Sequence, residues 1–329
     1  MEAIVYRKYG SASDVLRLEN IDRPVPKAGE VLVRILSAAV NPLDTQKLRA
    51  EPYLYQRPAT GLRRPRKPVL GGDVAGRVEA VGSGVTRFQP GDEVYGSIRD
   101  GGFAEYAAAP EDLLVHKPPQ LSFDQAAALP VSGVTALTGL GGPRGVEPGR
   151  RVLVIGASGG VGTCAVQIAK AMGAEVTGVC SGRNAELVRS LGADHVIDYT
   201  KTDLTTTGRR YDVVLQAGGT DTASTLRRLA TPKGTVVLLS GEASGRVVGP
   251  IGRVVKGLAL SPFISQKVRA LAVMPTASDL EQLSEVVAAG KLTPVIDRTY
   301  PLRDTADAMA YRQTGRARGK VVVRVTGAA

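Results

Sequence analysis

A glycine-rich segment in the middle of the chain constrains the fold most strongly. The apolar run 152–155 is followed by the sequence GASGGVG at 156–162 and by a helical pattern at 163–172. A buried strand that enters a helix through such a turn is typical of a nucleotide-binding βαβ unit. Early glycines let the backbone approach a pyrophosphate, and Gly162 lets the helix lie close to the strand. The N–H groups at the start of the helix would face the phosphates.

The end of the next predicted strand, Glu175–Cys180, indicates which dinucleotide is bound. An NAD-binding unit usually has an Asp or Glu there, which binds the ribose 2′-hydroxyl and would repel a 2′-phosphate. This chain has Ser181-Gly182-Arg183-Asn184. Arg183 can pair with phosphate and Ser181 can donate a hydrogen bond to it, although an ordinary exposed arginine is the alternative. The predicted NADP(H) contacts of this unit are Ala157, Ser158, Gly159, Gly160, Val161, Ser181, Arg183 and, on the adenosine side, Tyr199.

The composition indicates a two-domain protein without disulfides. A chain of 329 residues exceeds the usual size of a single core. Its two cysteines, Cys164 and Cys180, lie in apolar periodic segments and read as core residues. No stretch approaches the roughly 20 apolar residues of a membrane span, and residues 1–4 lead into a strand-like segment rather than a signal peptide. We therefore expect a cytoplasmic protein with no membrane partner.

The net charge of +11 raises nucleic acid or an acidic membrane surface as a partner. The basic residues concentrate in two clusters, Arg63, Arg64, Arg66 and Lys67, and Arg316, Arg318 and Lys320. Neither cluster is interleaved with aromatics, which make up only 4% of the chain, and base stacking requires more rings. We interpret both as solvated loops around an anionic cofactor site and expect no nucleic-acid partner.

The distribution of predicted elements divides the chain near residue 121. The first 120 residues are rich in short strand-like runs, with few helices, and residues 50–67 read as a loop. From residue 151 strands and helices alternate, which predicts a doubly wound parallel sheet in an α/β protein. A closing segment returns to the first domain. The predicted domains are 1–121, completed by 295–329, and 122–294.

Several short segments resemble a known family. They are Asn41-Pro42-Leu43-Asp44, Gly71-Gly72-Asp73-Val74-Ala75-Gly76, Val81-Gly82-Ser83-Gly84-Val85, Pro90-Gly91-Asp92-Glu93-Val94, Gly102-Phe103-Ala104-Glu105-Tyr106, the GASGGVG turn and Gly319-Lys320-Val321-Val322. In order and spacing they resemble the zinc-independent, quinone oxidoreductase-like members of the medium-chain dehydrogenase/reductase superfamily. The resemblance implies a GroES-like, partly open β-barrel catalytic domain, a Rossmann domain and a homodimer.

The residues that zinc-dependent relatives use as ligands are missing. Those relatives need a Cys near the first segment, a Gly-His-Glu in the second and a further Cys or Asp, because tetrahedral zinc takes thiolate, imidazole or carboxylate ligands. This chain has Asn41-Pro42 and Gly71-Gly72-Asp73 there, and its only histidines, His116 and His195, lie elsewhere. We predict no metal.

Without a metal, a conjugated acceptor is the favoured substrate. A quinone or an α,β-unsaturated carbonyl can accept hydride at a remote carbon, while hydrogen-bond donors stabilise the charge that develops on oxygen. The resemblance implies Asn41 as that donor or as an orienting amide near that oxygen, with a turn-capping role as the alternative. Tyr53 or Tyr55 could deliver the proton. The remaining implied cofactor contacts are Asn41, Thr135, Ser240, Phe263, Ile264 and Lys320.

Other functions stay open at this point. The same enzyme class could act on an aldehyde, ketone or alcohol without zinc. A non-catalytic NADPH-binding sensor or interaction protein is the alternative from another class, and the sequence favours the enzyme because the catalytic-domain motifs are present. Direct nucleic-acid binding by residues 63–67 would show a steep salt dependence.

Overall fold

A computed structural model describes residues 1–142, 145–239 and 266–325. Contacts divide the chain into two compact units, each with its own sheet. The first comprises Met1–Val131, Met274–Ala288 and Pro294–Ala329, and the second comprises Ser132–Val273 and Ala289–Thr293. No helix in the described ranges is long and apolar enough to cross a bilayer.

The first unit is mainly β-structure. Its elements are β1 (Glu2–Val5), α1 (Ala12–Val15), β2 (Arg17–Asn20), β3 (Glu30–Ala39), α2 (Pro42–Arg49), α3 (Tyr53–Thr60), β4 (Asp73–Val81), β5 (Glu93–Ser97), β6 (Tyr106–Pro110), β7 (Leu114–His116), α4 (Phe123–Ala127), α9 (Ala277–Ala288), β14 (Ile296–Pro301), α10 (Thr305–Gln313) and β15 (Lys320–Arg324). A further helix, α5 (Pro130–Gly139), begins in this unit and continues into the second.

The central strand of the first unit is β3. Its sheet runs β14-β15-β3-β4-β5-β7, and β6 pairs with the first half of β3 while β15 pairs with its last residues. This partner exchange along one strand is the partly open arrangement expected of a GroES-like domain. The core beneath it is well filled, since Ile35, Tyr95 and Phe103 are fully buried.

One helix, α3, lies in the segment 50–67 that the sequence led us to describe as a loop, and α2 directly precedes that segment. Pro42 starts α2 with a fixed φ, and the Asp44 carboxylate caps the backbone N–H of Asn41. Leu48 then buries the inner face of α2. The second helix, α3, follows at once and contains Tyr53. Few apolar residues mark either helix, so periodicity alone did not reveal them.

The second unit is the predicted doubly wound sheet. Its elements are β8 (Arg151–Ile155), α6 (Gly160–Ala171), β9 (Glu175–Cys180), α7 (Ala185–Ser190), β10 (His195–Asp198), β11 (Tyr211–Gln216), α8 (Ala223–Leu229), β12 (Ala230–Leu239) and β13 (Lys267–Leu271). The strands are parallel in the order β10-β9-β8-β11-β12-β13. This is the strand order of a Rossmann fold, so the predicted fold class is confirmed.

The division between the units falls at Val131 rather than at residue 121. The reason is α4, which packs on β3 and β4 and whose Asp124 accepts hydrogen bonds from Ser37 and Arg324. Similarly, α9 belongs to the first unit because the Tyr95 hydroxyl lies 2.8 Å from the Ser284 hydroxyl.

Candidate functional site

The glycine-rich turn between β8 and α6 has no room for side chains at two positions. Gly156 has a φ of +80°, and a Cβ there would meet the Gly218 nitrogen at 2.8 Å. A Cβ on Gly162 would collide with the Gly156 carbonyl oxygen and lie 2.7 Å from the Ala157 Cα. By contrast, a Cβ on Gly159 would meet only the Gly156 oxygen, at 3.5 Å. Packing therefore does not require Gly159, and this N-cap glycine leaves the start of α6 open to the close approach of a ligand.

A buried hydrogen bond holds the serine of this turn. Asn184 donates from Nδ2 to the Ser158 hydroxyl at 2.9 Å, and both side chains are buried. The Asn184 Oδ1 atom has no hydrogen-bond partner among the described residues. A buried polar atom without a protein partner is available to a bound group or to water. The sequence analysis named Asn184 in the segment after β9 but predicted no role for it. Its position directly after Arg183 could have indicated that it belongs to the site.

The ends of β9 and β10 bring three predicted residues together. Parallel pairing places Asp198 beside Cys180, and the Tyr199 N–H donates to the Cys180 carbonyl at 3.2 Å. Ser181, which follows Cys180, therefore lies near Tyr199, and Arg183 comes two residues later; the Tyr199 side chain is 60% exposed. These residues and the turn provide hydrogen-bond donors and an exposed aromatic ring on one edge of the sheet.

A carboxylate is also present at this edge, which the sequence analysis did not expect. Asp198 approaches the Gly182 backbone, and its Oδ1 accepts hydrogen bonds from the Thr200 N–H and hydroxyl. These hydrogen bonds, first of all those from Thr200, lower the pKa of Asp198. It comes from the neighbouring strand, so inspection of the residues after β9 alone missed it. The Asp198 carboxylate accepts hydrogen bonds from Thr200 and from the Gly182 backbone, and it thereby holds the loop after β9 against the end of β10.

A second polar cluster is buried in the first unit. The Lys320 ammonium donates to the Asn41 Oδ1 at 2.6 Å, and the Asn41 Nδ2 donates to the Asp73 Oδ2 at 2.9 Å. Lys320 also lies 3.8 Å from the Asp73 carboxylate. The three side chains are at most 6% exposed. Lys320 and Asn41 were predicted site residues, whereas Asp73 was not, although a carboxylate at the start of an apolar strand was a visible signal.

Burial governs the charges in this cluster. It raises the pKa of Asp73, against the opposing effects of the Lys320 ammonium and of hydrogen bonds from Asn41 and the Val131 N–H. The neighbouring Asp44 has its pKa raised to about 6, again mainly by burial, although it accepts hydrogen bonds from the Asn41 and Gly71 amides.

The raised pKa of Asp44 predicts a pH-dependent contribution to stability. In the unfolded chain this carboxyl ionises near 3.8, so between 3.8 and about 6 the folded protein holds a proton that the unfolded chain releases. The contribution is therefore favourable at low pH and is lost as pH rises through about 6. We expect the stability of the native protein relative to Asp44→Asn to fall by roughly 2–3 kcal/mol between about pH 4 and 7. Urea unfolding of both proteins measures this, and a pH-independent difference would contradict it.

The other predicted residues are distributed as follows. Tyr53 is half-buried in α3, with the Arg57 guanidinium 4.7 Å from its ring centre, and Tyr55 is 53% exposed. Thr135 is buried in α5. Ser240, Phe263 and Ile264 lie outside the described residues. The described ranges contain no group of three or more His, Cys, Asp or Glu side chains able to hold a metal ion.

Three family models match successive parts of the chain. Residues 27–119 match the alcohol dehydrogenase GroES-like domain, residues 125–220 match the alanine dehydrogenase/PNT C-terminal domain, and residues 191–323 match the zinc-binding dehydrogenase model.

Full-length relatives agree with these matches. The chain is 35% identical to the chloroplast envelope quinone oxidoreductase homolog of Arabidopsis thaliana, over 98% of each chain. It is 36% identical to the NADPH-dependent alkenal/one oxidoreductase of the same plant, over 98% of this chain and 79% of the relative. The structure of Escherichia coli quinone oxidoreductase complexed with NADPH superposes with a TM-score of 0.83, at 27% identity, over 99% of this chain and 100% of that one. The chain belongs to the medium-chain dehydrogenase/reductase superfamily and has quinone oxidoreductases among its relatives.

Proposed function

We propose that the protein is an NADPH-dependent, metal-free reductase of quinones and α,β-unsaturated carbonyls. The observation that carries the proposal is the edge formed by the ends of β9 and β10, from which Ser181, Arg183 and Tyr199 follow, and which the Asn184–Ser158 hydrogen bond links to the glycine-rich turn. The names of the relatives, which include quinone and NADPH-dependent alkenal/one oxidoreductases, support the same chemistry.

The residues of the second unit fit NADPH. The start of α6, from Gly159 to Val161, would hold the pyrophosphate with backbone N–H groups, because Gly159 leaves that approach open. The Asn184–Ser158 hydrogen bond would orient the serine hydroxyl. Ser181 and Arg183 would bind the 2′-phosphate and Tyr199 would cover the adenosine.

The buried cluster of the first unit supplies polar groups for the acceptor. When bound, NADPH supplies a hydride, and a conjugated acceptor then develops charge on its oxygen. The Asn41 amide nitrogen already donates hydrogen bonds to Asp73 and to the Ala39 carbonyl. We therefore assign Asn41 to positioning Lys320, which donates to its Oδ1, rather than to donating to the substrate oxygen. Lys320 is then the candidate cation for stabilising that charge. Tyr53 stays the proposed proton donor.

The side chains available do not suit a catalytic zinc. Where zinc-dependent relatives have a Cys and a Gly-His-Glu, this chain has Asn41 and Gly71-Gly72-Asp73, so a glycine takes the place of the histidine. Asn41 and Asp73 are engaged with Lys320. An amide is a poor zinc ligand, and tetrahedral zinc needs three protein ligands at a catalytic site. The proposed homodimer and cytoplasmic location rest on the sequence and the family resemblance.

One assay distinguishes this function from its alternatives. NADPH absorbance is followed with the purified protein and a quinone, an enone or a simple ketone, with and without a chelator. We expect turnover of the quinone and enone that is unaffected by chelator. Turnover of the ketone alone would favour a carbonyl reductase, loss of activity with chelator would contradict the metal-free proposal, and NADPH binding without turnover would favour a sensor.

The Arg183→Ala substitution tests the choice of cofactor. Loss of a charge-assisted bond to the 2′-phosphate is expected to weaken NADPH binding about tenfold to a hundredfold and to leave NADH binding nearly unchanged. Cofactor fluorescence titration measures both affinities. Arg189→Ala, which removes an exposed arginine from α7, is the matched control and should change neither. Equal losses of NADPH and NADH in Arg183→Ala would contradict the assignment.

A further inference from the structure

The helix α3 carries an unpartnered apolar face. Its exposed positions are Leu54, Tyr55, Pro58 and Ala59, none of which is charged. Their spacing places them on one side of the helix. Leu54 is 67% exposed and Tyr55 is 53% exposed. The opposite side is anchored, since Gln56 is buried. Such a face is characteristic of a surface that contacts another molecule.

A strongly basic loop follows this face directly. Leu62 is 67% exposed and is followed by Arg63, Arg64, Pro65, Arg66 and Lys67. The four cations are exposed, and none forms an ion pair within the part of the chain that the structure describes. Positive charge that the protein leaves unneutralised is available to an anionic partner.

A surface cavity extends the basic region. It has a volume of about 500 Å³ and brings Arg64 beside Arg7, Lys8 and Arg17. The carboxylates among its lining residues are Asp14 and Glu19, of which Glu19 pairs with Arg7 at 2.6 Å. Cations therefore outnumber carboxylates around the cavity.

Hydrogen bonds hold the loop in place. The Tyr9 hydroxyl donates to the Gly61 carbonyl at 2.6 Å, and the Arg66 N–H donates to the Thr60 carbonyl at 2.8 Å. Further along, the Tyr6 N–H donates to the Pro68 carbonyl at 2.8 Å. A preformed surface loses little conformational entropy when it binds.

We propose that the protein docks onto an anionic lipid bilayer through one surface. This surface, the basic apolar face, comprises α3, the loop 61–68 and the cations around the cavity. Acidic headgroups attract clustered Lys and Arg, while apolar side chains enter the headgroup boundary. A nucleic acid fits less well, because Tyr55 is the only exposed ring in this segment and base stacking needs several. The contact is peripheral. It revises the expectation of no membrane partner, because composition could not reveal that the apolar residues of α3 are exposed beside the cations.

Vesicle flotation tests the proposal independently of the proposed enzymatic activity. The full-length protein is mixed with vesicles of phosphatidylcholine alone or of equimolar phosphatidylcholine and phosphatidylglycerol. We expect binding at low salt to the anionic vesicles only, with release at about 0.5 M salt, where charges are screened within a few ångströms. The double substitution Arg64→Gln with Lys67→Gln should weaken binding roughly thirtyfold.

Two further variants separate the apolar contribution of this face from the effect of net charge. Leu54→Ser with Leu62→Ser keeps the charge and should still weaken binding severalfold, since the apolar contact is lost. Lys233→Gln with Arg269→Gln removes two exposed cations from the second unit and should bind as the native protein does. Circular dichroism verifies that every variant is folded.

The proposal fails if the protein does not float with anionic vesicles or floats equally with neutral ones. It also fails if both charge-removal variants lose binding equally, because net charge rather than this face would then be responsible. Tight binding of a single-stranded oligonucleotide that is lost in Arg64→Gln with Lys67→Gln, while vesicle binding is unaffected, would identify a nucleic-acid surface instead.

Discussion

Replacing Asp73 by alanine is expected to destabilise the first unit by about 3–5 kcal/mol, because the Lys320 charge would stay buried without this carboxylate. The Lys320 side chain is only 6% exposed and would lose its carboxylate. The Asn41 Nδ2 and the Val131 N–H would also lose an acceptor. Urea unfolding followed by circular dichroism measures the effect.

A double substitution identifies the cause of this loss. Asp73→Leu combined with Lys320→Met removes both charges and should restore stability to within about 2 kcal/mol of the native protein. If Lys320 also stabilises charge on the acceptor, this folded double variant should still be inactive. A double variant no more stable than Asp73→Ala would mean that the buried charge is not the cause.

Two glycine substitutions in the turn should have different consequences. Gly162→Ala should destabilise the second unit by about 1–3 kcal/mol, because its Cβ collides with backbone rather than with a mobile side chain. Gly159→Ala should leave stability within about 1 kcal/mol of the native value, because its φ of −86° suits alanine and its Cβ has space.

The effect of Gly159→Ala is instead expected in cofactor binding. A methyl group at the start of α6 would keep a pyrophosphate from the backbone N–H groups, so we expect at least a hundredfold loss of NADPH affinity, about 2.7 kcal/mol. Thermal unfolding and fluorescence titration measure the two properties separately. Unchanged affinity in Gly159→Ala would show that this glycine does not face the cofactor.

Much of the second unit could be predicted from the sequence because its central strands are buried, although the edge strand Lys267–Leu271 was not predicted. Glu175–Cys180 and Tyr211–Gln216 are mostly apolar and buried, and the observed strands have the predicted bounds. The turn after β8 was recognisable because its glycines are required by contacts within a few residues or with the adjacent strand end.

Features that depend on distant parts of the chain could not be predicted. Asp73 meets Lys320 only after β4 and β15 have both paired with β3, and Asp198 reaches Gly182 only through the pairing of β9 with β10. The helices α2 and α3 carry few buried residues, so their periodic signal is weak. Because this signal is weak, the sequence did not predict the exposed apolar face of α3.

The position to which hydride is transferred tests the central proposal most directly. An enone is reduced with NADPH carrying deuterium at both positions of C4 of the nicotinamide, so that the transferred hydride is deuterium from either face, and the product is analysed by NMR and mass spectrometry. Reduction of a conjugated acceptor predicts a saturated ketone with one deuterium on the carbon remote from the carbonyl. Deuterium on the carbonyl carbon, in an unsaturated alcohol, would contradict the account and identify a carbonyl reductase.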